Sequence, residues 1–272
     1  MHVNASNLPP WVGCWRRERL QRPGTPADDT TVVYWLQSQH LFLDLRIPAG
    51  RPAFDGCAAL EDCSVAALQW LATQEGFSGH LEVAGDLYCW HRHFDFAVES
   101  GSPGVPDLGR MTQHSPTAWR EVGVYAPYAE DWTHTPYRGG LCAGAKFMFA
   151  ADSGEASWRQ GVVVVVDQHC MLALQRTVLP VHRDTGRHDE LAALRAQLEC
   201  EIAYGAFDAQ QLSMRIQHAS LPFREGAQLL PNAARAQADG AAPEFAFVYN
   251  HPVLMRSRVV WQRAPSSFGA SS

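Results

Sequence analysis

The 272-residue chain predicts an all-β protein with minor helices, built as two antiparallel β-barrels in tandem. Three observations predict it. Short runs rich in β-branched and aromatic residues recur through both halves, separated by Gly, Pro and Asp turns. Helical spacing interrupts these runs in only two places. The Pro136–Gly140 stretch then divides the chain into strand-rich halves of about equal length, giving expected domains 1–136 and 137–272.

In the first half, Val12–Leu20 reads as the opening strand. Asp28 and Asp29 introduce a second over Thr30–Gln37, and a turn at Ser38 and Gln39 leads into Leu41–Ile47. Pro48, Gly50 and Pro52 take the chain out of the sheet. Ser64 can cap a helix reaching Glu75, with Val65, Leu68 and Leu71 on one face and Gly76 ending it. Phe77–Val83 and Leu87–Val98 read as strands about a Gly85-Asp86 turn. Glu99–Pro106 reads as a loop rich in Gly and Pro, and Trp119–Tyr125 and Tyr128–His134 complete the half.

In the second half, Leu141–Ala150, Gly161–Val166 and Cys170–Arg176 read as strands, the last two forming a hairpin about Asp167 and Gln168. One amphipathic helix is predicted over 187–204. It carries the stripe Leu191, Leu194, Leu198 and Ile202, and Gly205 stops it. Leu212, Met214, Ile216 and His218 alternate with polar residues, as a half-buried strand does. Ala233–Ala242 reads as a loop or short helix. Glu244–Asn250 and Met255–Arg263 close the chain as strands, and Ser266–Ser272 is an expected disordered tail.

Composition excludes several function classes. With 46% hydrophobic and 18% charged residues the chain is globular rather than disordered. A net charge of -6 gives no electrostatic reason to bind nucleic acid or an anionic membrane. The longest apolar run, Val162–Val166, ends at Asp167, far short of a membrane span. No basic start followed by an apolar block marks a secretion signal. Seven cysteines without a CxxC pair read as reduced thiols, so a cytoplasmic protein is expected. No P-loop, Gly-x-Gly-x-x-Gly or Gly-x-Ser-x-Gly motif occurs, and no cofactor is expected.

The run Tyr88–Phe96 is the richest in chemistry. As a strand it puts Tyr88, Trp90, Arg92, Phe94 and Phe96 on one face and Cys89, His91, His93 and Asp95 on the other. An inward Arg92 requires a carboxylate or a polar ligand to offset its desolvation. Asp44, Arg46 and Glu121 are the other charged positions inside strand-like runs. They give either a structural pair such as Arg92 with Glu121 or a ligand-anchoring cluster. His91 and His93, two residues apart, could hold a metal with a third ligand from His80 or His114; the alternative leaves them on the outer wall. Trp35, Trp90, Trp119, Trp132, Tyr34 and Tyr125 could line a pocket or simply fill the core. Arg16, Arg17 and Arg19 read as a solvated strand edge.

Gly13-Cys14-Trp15 on the first strand resembles the Gly-x-Trp signature of lipocalins, in which the tryptophan plugs the closed end of the barrel. The chain is also similar to a family of fungal and bacterial proteins built from two tandem lipocalin-like barrels and of unassigned activity. That likeness rests on Tyr34–Gln37, Asp44–Pro48, Trp90–Phe96, Glu121–Tyr125 and Glu130–Trp132, within residues 10 to 135. For the arginine that covers the lipocalin tryptophan the candidate is Arg138. The resemblance implies a cup for a small, largely apolar molecule, and some two-barrel relatives of this architecture catalyse cyclisations, hydrations or isomerisations without a cofactor.

The expected function is therefore binding of a small hydrophobic ligand in the first barrel. Trp35, Trp90, Phe94 and Tyr125 would supply apolar contact, with Asp44, Arg46, Arg92 or Glu121 at the polar end. The alternatives are a cofactor-independent isomerase, hydratase or cyclase in the same cavity, or an interaction protein whose barrels are filled by side chains. Whether the protein is an enzyme is left open by its sequence, and a homodimer is admitted as a partner arrangement.

Overall fold

In a computed structural model of the chain, which describes residues 8–97, 105–150, 158–176, 187–211, 213–231, 246–249 and 257–261, the strands close into two barrels. The first takes β1 (Gly13–Gln21), β2 (Val32–Gln37), β3 (Leu41–Ile47), β4 (Glu75–Ala84), β5 (Leu87–Asp95), β6 (Leu108–Gln113), β7 (Ala118–Gly123) and β8 (Ala129–Pro136). Each pairs antiparallel with the next, and β8 returns to pair with β1. The second takes β9 (Cys142–Ala150), β10 (Trp158–Val166), β11 (His169–Leu174), β12 (Glu201–Asp208), β13 (Ser213–Ala219), β14 (Gln228–Pro231), β15 (Ala246–Tyr249) and β16 (Ser257–Trp261), closed by β16 on β9. Among the described residues no helix is long and apolar enough to cross a membrane.

The two barrels share a plan that the sequence does not display as a repeat. In each, a helix joins the third strand to the fourth: α1 (Val65–Leu71) and α2 (Arg187–Leu198). In each, the pairing of the fourth and fifth strands slips by one residue, between Ser78 and Gly79 in one barrel and between Tyr204 and Gly205 in the other. Both slips have a glycine beside the extra residue. A Cβ on Gly79 would collide with the carbonyl oxygen of His91, and one on Gly205 with that of Arg215.

The barrels meet wall to wall. Strands β2 and β3 of the first lie against β10 and β11 of the second. Leu36, Leu43, Val164, Met171 and Ile202 are wholly buried in this seam. Burying each such side chain stabilises the fold by about 1.5–3 kcal/mol relative to leaving it exposed. Tyr34 stacks on Tyr204 across the seam at a centroid distance of 4.0 Å. The helices also touch: α1 packs against α2 at one end of the seam. The Ser64 side chain accepts the Ala67 amide and caps α1.

Several expectations are corrected. The helix predicted over 187–204 ends at Leu198, and Glu201–Asp208 is a strand paired with β11. Ile202 follows Leu198 by four residues and so mimics a helical stripe, but it belongs to the strand. Strands β6 and β14 were not anticipated. In β6 an inward position is Gly109, against which the Glu121 side chain packs, so no hydrophobic alternation marks it. The Ala233–Ala242 stretch, the Ser266–Ser272 tail and most of the Glu99–Pro106 loop lie outside the described residues.

Candidate functional site

The interior of the first barrel is layered, and the layering comes from alternation on single strands. On β1 Trp15 faces inward and so does Arg17, two residues on. On β3 the inward series is Phe42, Asp44, Arg46. On β5 it is Trp90 then Arg92, on β7 Trp119 then Glu121, and on β8 Trp132 after Glu130. Because neighbouring strands run antiparallel, every aromatic member falls toward one end of the barrel and every ionisable member toward the other.

At the aromatic end Trp15 is fully buried between two rings, Trp35 at 4.7 Å and His134 at 4.0 Å between centroids. Trp119 meets Trp15 edge to face, and Trp35 meets Trp90 and Trp132 in the same way. Gly13 is required here, since a Cβ would strike the His134 ring and the Thr135 carbonyl oxygen. His134, rather than Arg138, covers the tryptophan of the Gly-x-Trp motif; the Arg138 amide instead donates to Asp167. Burial lowers the His134 pKa to about 4, so the ring is neutral at pH 7.

The ionic layer holds Arg17, Asp44, Arg46, Glu121 and Glu130, four of them buried and Arg46 partly exposed. Arg17 donates to Glu130 at 2.8 Å and to Asp28 at 3.1 Å. Arg46 grips Asp44 through both of its oxygens, at 2.8 and 3.2 Å. Glu121 has no such cation. Tyr128 Oη donates to its Oε1 at 2.6 Å and Trp132 Nε1 to its Oε2 at 3.1 Å. Burial, and then the charge of Glu130 directly opposite, push the Glu121 pKa up to about 8, against the opposing pull of the Tyr128 hydrogen bond and Arg46. At neutral pH Glu121 therefore keeps its proton while Glu130, tied to Arg17, has a cation beside it.

Arg92 stands at the rim of this layer, partly exposed. It donates to Asp107 at 2.7 Å and to Asp95 at 3.0 Å, with its guanidinium carbon 3.6 Å from the Phe77 ring centroid. The anticipated Arg92–Glu121 pair is not formed; the carboxylates at the rim take Arg92 and leave Glu121 to its neutral donors.

The structure brings Trp35, Asp44, Arg46, Trp90, Arg92 and Glu121 to one barrel interior or its rim, and it separates two others from them. Phe94 faces the seam between the barrels, because the β4–β5 slip inserts His93 and reverses the faces beyond it. Asp95, not Phe94, thereby joins Arg92. Tyr125 lies in the β7–β8 turn, 61% exposed, because β7 ends at Gly123. Sequence reasoning missed Arg17, Glu130, Tyr128 and His134. The basic run around Arg17 suggests a solvated edge, yet its place two residues after Trp15 fixes it on the inward face. Glu130 is signalled the same way by Trp132.

The histidines of β4 and β5 lie outside. His80 on β4 and His91 and His93 on β5 sit on the outer wall, exposed or partly so, with Lys146 of β9 reaching them from the second barrel. His91 pairs with Glu82 at 3.0 Å and stacks on His80. Among the described residues no three His, Cys, Asp or Glu side chains converge where a metal ion could be held. No cysteine pair forms a disulfide.

The second barrel offers a contrast. Val163, Val165, Leu172, Phe207, Met214 and Ile216 pack together inside it, and Glu201, buried, lies near Arg224.

No protein-family model matches the chain, and no curated protein matches it. Two solved structures are similar to part of it. One is a lipocalin-like protein from Bacteroides uniformis, 11% identical, with a TM-score of 0.32, covering 47% of this chain and 100% of that one. The other is an uncharacterized protein from Bacteroides eggerthii, 12% identical, with a TM-score of 0.31, covering 46% of this chain and 99% of that one. Each is distantly similar to this chain, over just under half of its length.

Proposed function

We propose that the first barrel binds a small, largely apolar molecule through its ionic end. The observation that carries this reading is the layer of buried Arg17, Asp44, Glu121 and Glu130 with the partly exposed Arg46 above an aromatic floor. Charged groups in a closed interior cost several kcal/mol each to desolvate, and apolar residues of similar volume would fill the space at least as well. The second barrel is filled in that cheaper way over its described strands. The ligand's apolar body lies against Trp90 and Trp132, and its polar end meets Glu121. The arginines are poorer anchors, since each already has carboxylate partners. A neutral hydroxyl or carbonyl oxygen that accepts from the protonated Glu121 therefore suits the site better than a carboxylate or phosphate.

Native mass spectrometry of freshly purified protein tests the reading. A bound small molecule that is lost from Trp90→Leu and weakened in Glu121→Gln is the expected result. A barrel that carries nothing, and whose interior tryptophan emission is unmoved by neutral aromatic alcohols, is filled by its own side chains, and the proposal fails.

A second reading has its own observation. Glu121, its pKa raised chiefly by burial, faces Glu130, which is ion-paired to Arg17, in the same interior, the arrangement of an acid and a base. A cofactor-independent isomerase, hydratase or cyclase would use Glu121 as the proton donor and Glu130 as the acceptor. Loss of turnover of the co-purified molecule in Glu121→Gln, with binding retained, separates this reading from simple binding.

A further inference from the structure

Lys146 is the only lysine in the chain, and it stands at the end of a hydrogen-bonded imidazole pair. Its Nζ lies 2.8 Å from His93 Nδ1, and His93 Nε2 lies 2.9 Å from His80 Nδ1. An ammonium group can only donate, so His93 accepts at Nδ1, carries its hydrogen on Nε2 and donates that hydrogen to His80. The charged and titratable groups facing this relay are His80 and Glu82 from β4, His91 from β5 and Lys146 from β9. Glu82 is held by His91. Lys146, His93 and His80 all remain exposed to solvent.

We propose that Lys146 is an imine-forming amine, a capture site for small aldehydes and ketones, with His93 and His80 as its proton relay. Imine formation needs a base to free the amine and an acid to expel water. His93 Nδ1 takes a proton from the Lys146 ammonium and passes its Nε2 proton to His80 Nδ1. The freed lone pair attacks the carbonyl carbon, the carbon–oxygen π bond opens, and a nitrogen proton moves to the oxygen to give a carbinolamine. The relay returns its proton to that hydroxyl, which leaves as water while the nitrogen lone pair closes the C=N bond. The iminium keeps one proton and the relay is restored. Partial desolvation lowers the Lys146 pKa, and partial desolvation together with the Lys146 charge lowers that of His93, so both changes favour a free amine beside a neutral imidazole.

A single lysine makes the test direct. The full-length protein is incubated with benzaldehyde and sodium cyanoborohydride, whose hydride fixes the imine as a benzylamine, and peptide mapping reads the rate at Lys146. Nα-acetyl-lysine in the same solution is the reference. At pH 7 Lys146 is expected to react at least tenfold faster than the reference. The rate should fall about fivefold or more in His93→Ala and in His80→Ala, and decline on acidification as the imidazoles take up protons. Lys146→Arg should abolish the labelled peptide. A rate equal to that of Nα-acetyl-lysine, or one that climbs with pH as the reference does, overturns the proposal. So does a normal rate in both folded histidine variants, as checked by their melting temperatures.

Discussion

Glu121 and Glu130 stand directly opposite one another on β7 and β8, both pointing into the first barrel and both buried. Like charges in this register are destabilising. The structure resolves the conflict by giving Glu130 to Arg17 and leaving Glu121 protonated between Tyr128 and Trp132.

That assignment has a pH signature. The Glu121 pKa rises from an ordinary 4.5 to about 8, so between those values the folded protein holds a proton that the unfolded chain has released. Stability from this group is full below pH 4.5 and declines as pH rises toward 8, at up to about 1.4 kcal/mol per pH unit. Urea midpoints at pH 5, 7 and 9 should fall more steeply for the wild type than for Glu121→Gln. Glu201, raised to about 7 chiefly by burial, leaves a residual slope in both proteins. Parallel curves would show that Glu121 is ionised in the folded state.

Gly13→Ala should destabilise the protein by about 1–3 kcal/mol through overpacking. The added methyl strikes His134 and the Thr135 carbonyl, and the stack of His134 on Trp15 cannot yield without opening the closed end of the barrel. Near-UV circular dichroism, dominated by the interior tryptophans, should change with it. An unchanged melting temperature would contradict the close approach.

Arg92→Leu should alter stability by no more than about 1 kcal/mol, because its ion pairs with Asp95 and Asp107 are partly exposed and screened by water. Thermal unfolding of the variant checks this. A loss several times larger would mean that Arg92 holds the rim shut.

Leu43→Ala should cost about 2–5 kcal/mol, since the side chain is wholly buried in the seam. The wild type should unfold in a single calorimetric transition because both barrels share that core. Two separate transitions in the wild type would refute the shared core.

The barrel architecture was legible because alternation is a local property. Phe42-Leu43-Asp44-Leu45-Arg46 shows both of its faces at once, and Leu41–Ile47 was placed correctly at both ends. The ionic layer was half legible for the same reason: Asp44, Arg46 and Glu121 interrupt strand-like runs. Phe94 was misplaced because face parity survives only until a bulge, and the slip at Gly79 follows from backbone packing that hydrophobicity does not report. Arg17 and Glu130 were hidden by company. Arg17 sits in a basic run whose other members face outward, and nothing local announces that Glu130 will meet it from a strand 113 positions away.

The seam has an implication for dissecting the molecule. Each barrel presents its second and third strands to the second and third strands of the other, so each wall is fitted to a neighbour of the same general design. Cut near Gly139, either piece would carry a bare greasy flank with its natural cover removed. Such fragments are expected to pair with themselves or to precipitate, and the two expressed together should reassemble into the parent.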